Sequence, residues 1–285
     1  MPLLSLPHLT MLDASPPDVV RAAAAAGFDG VGMRIFPTMP GEVQHPLIGN
    51  TPMRREVSAL LADTGVAVVD VEAIWLKEST EPARYESGFE AAGRLGARIV
   101  QVIGDDADER RLTGNYAALC ALAAPYGLTL DLEYMAFARP NRLADTRRIV
   151  RNADVANGGL MVDCLHVYRC ETRLEDYLEV DGGLLHEIQL CDGAATAPVG
   201  RDALAHEARF DRKLPGEGAL DLAAVWAVVP RNVWVSVEAP FGDARAKLPF
   251  AERARLLKAS ADAFMAGAGE PGARRRCLTC HSAGT

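Results

Sequence analysis

The chain has 285 residues, a length that fits one closed α/β barrel of roughly 250 residues plus insertions. With 49% hydrophobic and 24% charged residues it can bury a large core, which excludes disorder except at the ends. A formal charge of −8 argues against a surface that neutralises phosphates, so no nucleic-acid partner is expected.

No apolar run approaches the roughly 20 residues that cross a bilayer, so no membrane partner is expected. Residues 1–8 lack the basic start and the long apolar stretch of a secretory signal, and the expected location is the cytoplasm. Cys120, Cys164, Cys170 and Cys191 stand in apolar or strand-like contexts, where a reduced thiol packs as a small hydrophobe. They imply no disulfide framework.

Taken in chain order, short β-branched runs alternate with stretches of helical period, the pattern of a parallel sheet with crossover helices. A strand at 3–6 precedes a helix at 17–26, and a strand at 30–35 precedes a helix at 53–64. The next pairs are 67–73 with 82–95, 98–103 with 108–124, and 128–133 with 142–152. Strands at 159–163, 185–190 and 233–238 are followed by helices at 174–179, 220–228 and 249–266. Thr51-Pro52 supplies a capping hydroxyl and a proline for a helix start, while Gly27, Gly65, Gly96 and Gly127 follow helical runs as C-terminal caps do.

Eight such pairs predict a single-domain (β/α)8 TIM barrel over 1–266, with 267–285 as a flexible tail. A doubly wound open sheet would carry a Gly-rich phosphate turn after its first strand, where Pro7-His8-Leu9-Thr10 stands instead.

Barrel active sites lie at the C-terminal ends of the strands. Strands five to eight end in Glu133, Asp163, Gln189 and Glu238. Three carboxylates beside one amide oxygen form a hard-oxygen set suited to one divalent ion, Mn2+ or Mg2+ first, with Co2+ or Zn2+ as alternatives. An ion would also remove the mutual repulsion of those carboxylates. Four further strand-end or loop residues, His8, Arg34, Glu72 and Trp75, are candidates to line a substrate pocket. Each has a plainer reading: His8 as a loop histidine, Arg34 and Glu72 as a cross-strand pair, Trp75 as packing.

These strand ends, with Asp163-x-x-His166 and Arg212-Lys-Leu-Pro-Gly-Glu-Gly218, resemble the xylose isomerase-like barrel superfamily over most of the chain up to about residue 266. The resemblance is to its sugar isomerase and epimerase branch, which includes ketose 3-epimerases, inosose-processing enzymes and dehydroshikimate dehydratases. It implies that Glu133 and Glu238 bind metal and exchange protons with the substrate, that His166 reaches a substrate oxygen or orients the metal shell, and that Arg212 stabilises charge developing on a substrate oxygen. An ion chelating a carbonyl and its neighbouring hydroxyl would stabilise an enediolate, leaving a carboxylate free to act as base.

Two departures matter. Epimerases commonly carry His where Gln189 stands, a feature closer to the dehydratases, yet Glu133-Tyr-Met135 lacks the His which that branch places two residues after the glutamate. The DNA-repair branch, with its histidine-rich zinc cluster, does not fit six histidines and an acidic chain.

The leading expectation is therefore a metal-dependent isomerase or epimerase of a keto-sugar or cyclitol. A dehydratase of the 3-dehydroshikimate type is the alternative, and a non-catalytic sugar-acid-binding barrel the third reading. All three take a polyhydroxy carbonyl partner, and a homo-oligomer is compatible with the family. In the tail, Cys277-Leu-Thr-Cys280-His281 has the spacing of a haem attachment motif, but neither an export signal nor a haem-sized domain accompanies it.

Overall fold

The computed structural model describes residues 2–38, 41–230 and 232–269. Eight parallel strands close into a barrel in sequential order, with β8 pairing back onto β1. The strands are β1 Leu4–Leu6, β2 Gly30–Arg34, β3 Ala67–Lys77, β4 Ile99–Asp105, β5 Thr129–Glu133, β6 Gly158–Asp163, β7 Leu185–Gln189 and β8 Trp234–Ser236. Each overlaps its expected range. β3 runs on past the expected end, and β8 stops two residues short of Glu238, which continues as extended chain at the barrel rim.

The helices differ more. α1 Pro16–Ala26, α2 Pro52–Thr64, α3 Glu86–Leu95, α4 Glu109–Ala123 and α5 Leu143–Ala153 follow the expected pattern. Thr51 caps α2 by accepting the Arg54 N–H, and Gly65 closes it at a φ of 74°. The helix expected at 174–179 is a 3₁₀ turn, and the work of covering β6 begins instead with α6 Cys164–Arg169 directly after the strand. Asp163 causes this: its carboxylate accepts the His166 N–H at 3.0 Å and so starts a helix where a loop was expected. α7 Arg201–Phe210 was also not anticipated; it fills the long connection after β7, ahead of α8 Leu222–Trp226 and α9 Phe250–Ala268. The last helix reaches two residues beyond the expected domain limit of 266. The Cys-x-x-Cys-His segment lies outside the described residues.

Side chains alternate across each strand. Leu4, Leu6, Val31, Met33, Val100, Val102, Leu130 and Leu132 are all buried between sheet and helices. The opposite face points into the barrel. At its lower end it carries a separate apolar cluster of Val69, Ile99 and Met161, with Trp234 packed against them. Gly30 is required there, since a Cβ would approach Val69 Cγ2 to 2.4 Å. One register step higher the inward face turns polar, with Asp70, Asp131, Glu187 and Ser236 buried, and above them lies the rim of strand-end residues.

Candidate functional site

β5, β6 and β7 deliver Glu133, Asp163 and Gln189 to the upper end of the barrel, and the chain leaving β8 delivers Glu238; all four are buried. Neither oxygen of Glu133 has a hydrogen-bond partner, and the same holds for both ring nitrogens of His166. Glu133, Asp163 and His166 each offer an atom within 4.8 Å of the others, the one such group of possible metal ligands among the described residues. His166 Nε2 stands 3.9 Å from Glu133 Oε1.

His166 thus sits with the acids, as a residue that orients the metal shell would, and it also lines the pocket; the helical turn of α6 swings it back over Asp163. Its neutral form is strongly favoured, because burial lowers its pKa to about 4. Phe137 meets its ring edge-on at 5.5 Å.

Arg212 organises the other half. Its guanidinium donates to Asp163 Oδ2 and to Glu238 Oε2, the latter at 2.9 Å, while its Nε donates to the Ala208 carbonyl at 2.7 Å. The cation is thus paired with two protein carboxylates, and it also lines the pocket at the mouth of the barrel. Gln189 Nε2 donates to Glu238 Oε1 at 2.8 Å, which leaves Gln189 Oε1 buried and without a partner. Glu238 is accordingly held by Arg212 and Gln189, outside the Glu133, Asp163 and His166 group.

The electrostatics follow from burial and neighbours. Burial, then Asp163 and Glu238, push Glu133 well above the usual carboxylate range. Burial also pushes Glu238 up to about 8. Burial acts the same way on Asp163, but Arg212 foremost, with His166, outweighs it and holds that carboxyl low.

Glu133, His166 and Gln189 therefore present orphaned buried atoms of the kinds that bind a divalent ion, carboxylate and amide oxygens and an imidazole nitrogen. With Asp163 alongside, the residues fit such an ion.

The Arg212 to Gly218 segment has its own scaffold. Asp192, which sequence reasoning missed, accepts N–H bonds from Gly193, Gly216 and Leu220 at 2.8, 3.1 and 3.0 Å. Gly218 leaves room for that carboxylate, as a Cβ there would lie 2.2 Å from Asp192 Oδ1. A single acid next to β7 thereby fixes the loop that places Arg212.

Of the remaining expected residues, Arg34 and Trp75 line the pocket, while Glu72 and His8 stand behind Arg34. Glu72 accepts from Arg34 Nε at 3.2 Å and from the Leu9 N–H at 2.9 Å, and Arg34 also pairs with Glu42 from the loop after β2. The cross-strand pair is thus present, and Arg34 still lines the pocket. His8 is locked into the scaffold: Nε2 donates to the Ala14 carbonyl at 3.0 Å, and Nδ1 accepts the Arg34 N–H at 3.3 Å. It is absent from the pocket lining.

Trp75 does line the pocket, as does Arg209, another residue the sequence did not single out. The Arg209 guanidinium lies 5.7 Å from the Trp75 ring centroid and 5.5 Å from that of Phe137, with no carboxylate partner among the described residues. Burial and the nearby Arg34 and Arg201 lower its pKa. The cavity at the bottom of this mouth is about 40 Å³.

A family model described as xylose isomerase-like TIM barrel matches residues 20–263. Over 231 residues, 76% of this chain, the sequence is 29% identical to a 3-dehydroshikimate dehydratase of Pseudomonas aeruginosa. The match covers 34% of that protein, so the chain spans about a third of the length of this curated relative. Among solved structures, the IOLI protein with a binding zinc atom superposes with a TM-score of 0.75 at 19% identity, over 93% of this chain and 98% of that one. The 3-keto-D-glucoside 4-epimerase YcjR from E. coli gives 0.66 at 18% identity, over 93% and 99%.

Proposed function

The chain belongs to the xylose isomerase-like TIM barrel family, and within it we propose a divalent-metal-dependent dehydratase acting on a cyclic hydroxy-ketone that carries a carboxylate, such as 3-dehydroshikimate. The observation that carries this reading is the Glu133 carboxylate, buried with both oxygens unpartnered beside Asp163 and His166. Leaving a charge so placed costs several kcal/mol unless a cation or a proton meets it. The choice of lyase over epimerase draws on Gln189, on the Pseudomonas relative, and on Arg209, a half-buried cation at the mouth suited to an anionic group.

Glu133, Asp163 and His166 would hold the ion, with Gln189 Oε1 and Glu238 at its edge. Mn2+ or Mg2+ suits the oxygens, and the imidazole widens the choice to Co2+ or Zn2+. When bound, the ion supplies positive charge beside the ketone oxygen and acidifies the neighbouring C–H.

The chain's own residues then move the protons. Glu133 takes the C–H proton, and the electron pair forms a double bond as the β-hydroxyl leaves. Glu238, raised to about 8, carries a proton at neutral pH and delivers it to that hydroxyl, so that water departs. Arg212 keeps Glu238 in place through both steps, and Trp75 and Phe137 give the ring apolar walls. Proton removal by one glutamate and return by the other would instead invert a carbinol centre, which is the epimerase reading; the presence of both acids on one rim favours it.

The test pairs metal analysis with product detection. Protein purified without chelators and its Asp163→Ala variant are measured by mass spectrometry, then assayed on 3-dehydroshikimate and on keto-sugars. About one ion per chain, lost in the variant, together with an ultraviolet-absorbing unsaturated product, supports the dehydratase. Sugar interconversion without such a product would move the assignment to epimerase, and protein that stays metal-free in excess Mn2+ and Co2+ would remove both.

A further inference from the structure

Arg209 occupies the space that the proposed function gives to the substrate ring. Its guanidinium lies over the Trp75 ring, 5.7 Å from the centroid, and over the Phe137 ring at 5.5 Å. Both rings line the pocket, so one cation covers the two apolar walls at once and is held there by their quadrupoles.

The backbone beneath this side chain is fixed. Arg209 is the last residue but one of α7, and Glu207, buried two residues earlier, accepts two bonds from Arg169 at 2.7 and 2.6 Å. The Ala208 carbonyl accepts from Arg212 Nε at 2.7 Å, which ties the same turn to Asp163 and Glu238. Only the Arg209 side chain is left to yield, and among the described residues it has no carboxylate partner. Burial and the nearby Arg34 and Arg201 work against its charge. Those two cations have acids of their own, Glu42 and Glu72 for Arg34 and Asp105 for Arg201.

We propose that Arg209 is a built-in occupant of the ring subsite and sets specificity by exchange. An incoming ring displaces the guanidinium from Trp75 and Phe137, and a carboxylate on that ring then takes the guanidinium over. An anionic ring trades two cation–π contacts for charge-assisted hydrogen bonds, whereas a neutral ring breaks the contacts and gains nothing in return. The pocket thereby discriminates against uncharged polyols by an energetic cost and not by a clash. This takes from the proposed function only the place of the ring between Trp75 and Phe137, and it needs neither metal nor turnover.

Benzoate and benzamide are the probes, since they share a flat ring and a similar size and differ in charge. Calorimetric titration onto the full-length protein compares wild type with Arg209→Ala, and circular dichroism checks that both are folded. Wild type should take benzoate more tightly than benzamide. In Arg209→Ala, benzoate should weaken at least about tenfold while benzamide tightens about fivefold, because the occupant is gone. Such opposite signs support exchange, since a merely reshaped mouth would move both probes the same way. A benzamide affinity that stays the same or falls, or a benzoate affinity that stays the same, overturns it. So does the absence of uptake of either probe by either protein up to about 10 mM. Opposite shifts in a protein that dehydrates no substrate would keep the exchange and retire only the lyase.

Discussion

The two ends of this barrel are built from the same strands yet obey opposite rules. At the lower end Val69, Ile99, Met161 and Trp234 close the interior by apolar contact, as a barrel core ordinarily does. At the upper end β3, β5, β6, β7 and the chain leaving β8 present Glu72, Glu133, Asp163, Gln189 and Glu238, and the cations paired with these acids among the described residues are Arg34 and Arg212. The lower end contributes stability and the upper end consumes it, so a residue's height along its strand decides whether replacing it harms the fold or the chemistry.

Glu133→Gln tests the upper end most severely. Activity on the proposed substrate should fall by about a thousandfold, while the metal-free protein should gain on the order of 1 kcal/mol in urea unfolding, since the cost of burying that unpartnered carboxylate is gone. Full activity with unchanged stability would erase the contrast between the ends.

Ile99→Ala tests the lower end. A cavity in the plug should lower stability by about 3 kcal/mol and leave kcat within a few-fold of wild type. A large loss of kcat at retained fold would show that the plug also positions the rim.

The smallest effect sharpens the comparison through pH. His8 has its pKa lowered from 6.5 to about 4, chiefly by burial, and its Nδ1 must stay unprotonated to accept the Arg34 N–H. Because the folded value lies below the unfolded one, the unfolded chain binds the extra proton first. The contribution of neutral His8 is therefore full above pH 6.5 and is gone as pH falls to about 4. Between pH 7 and 5.5 this amounts to about 1 kcal/mol, and His8→Gln should flatten the stability profile by that amount in denaturant titrations at the two pH values. An unchanged slope would assign the acid sensitivity to other groups.

Much of the molecule was legible before any fold was seen. Eight β-branched runs, spaced by helical periods and glycine caps, gave every strand, and strand-end polarity brought Glu133, Asp163, Gln189 and Glu238 to one rim. What local patterns missed lies in the connections. Asp163 was read as a strand end, but the same carboxylate is also a helix cap, and that second role is what brings His166 into the acid cluster. The segment 201–210 read as loop because a long polar connection hides a short amphipathic helix, and with it went Arg209. The pair of Asp131 and His186 escaped notice because neither stands at a strand end.

The sequence by itself therefore determined the barrel and which residues face its interior, because strand periodicity is a local property of the chain. Only the tertiary structure decided which of them meet. Arg212 reaches Asp163 across 49 residues of chain, Gln189 reaches Glu238 across 49, and His186 reaches Asp131 across 55. Those contacts depend on barrel closure and on the path of each loop, which no short stretch of sequence encodes.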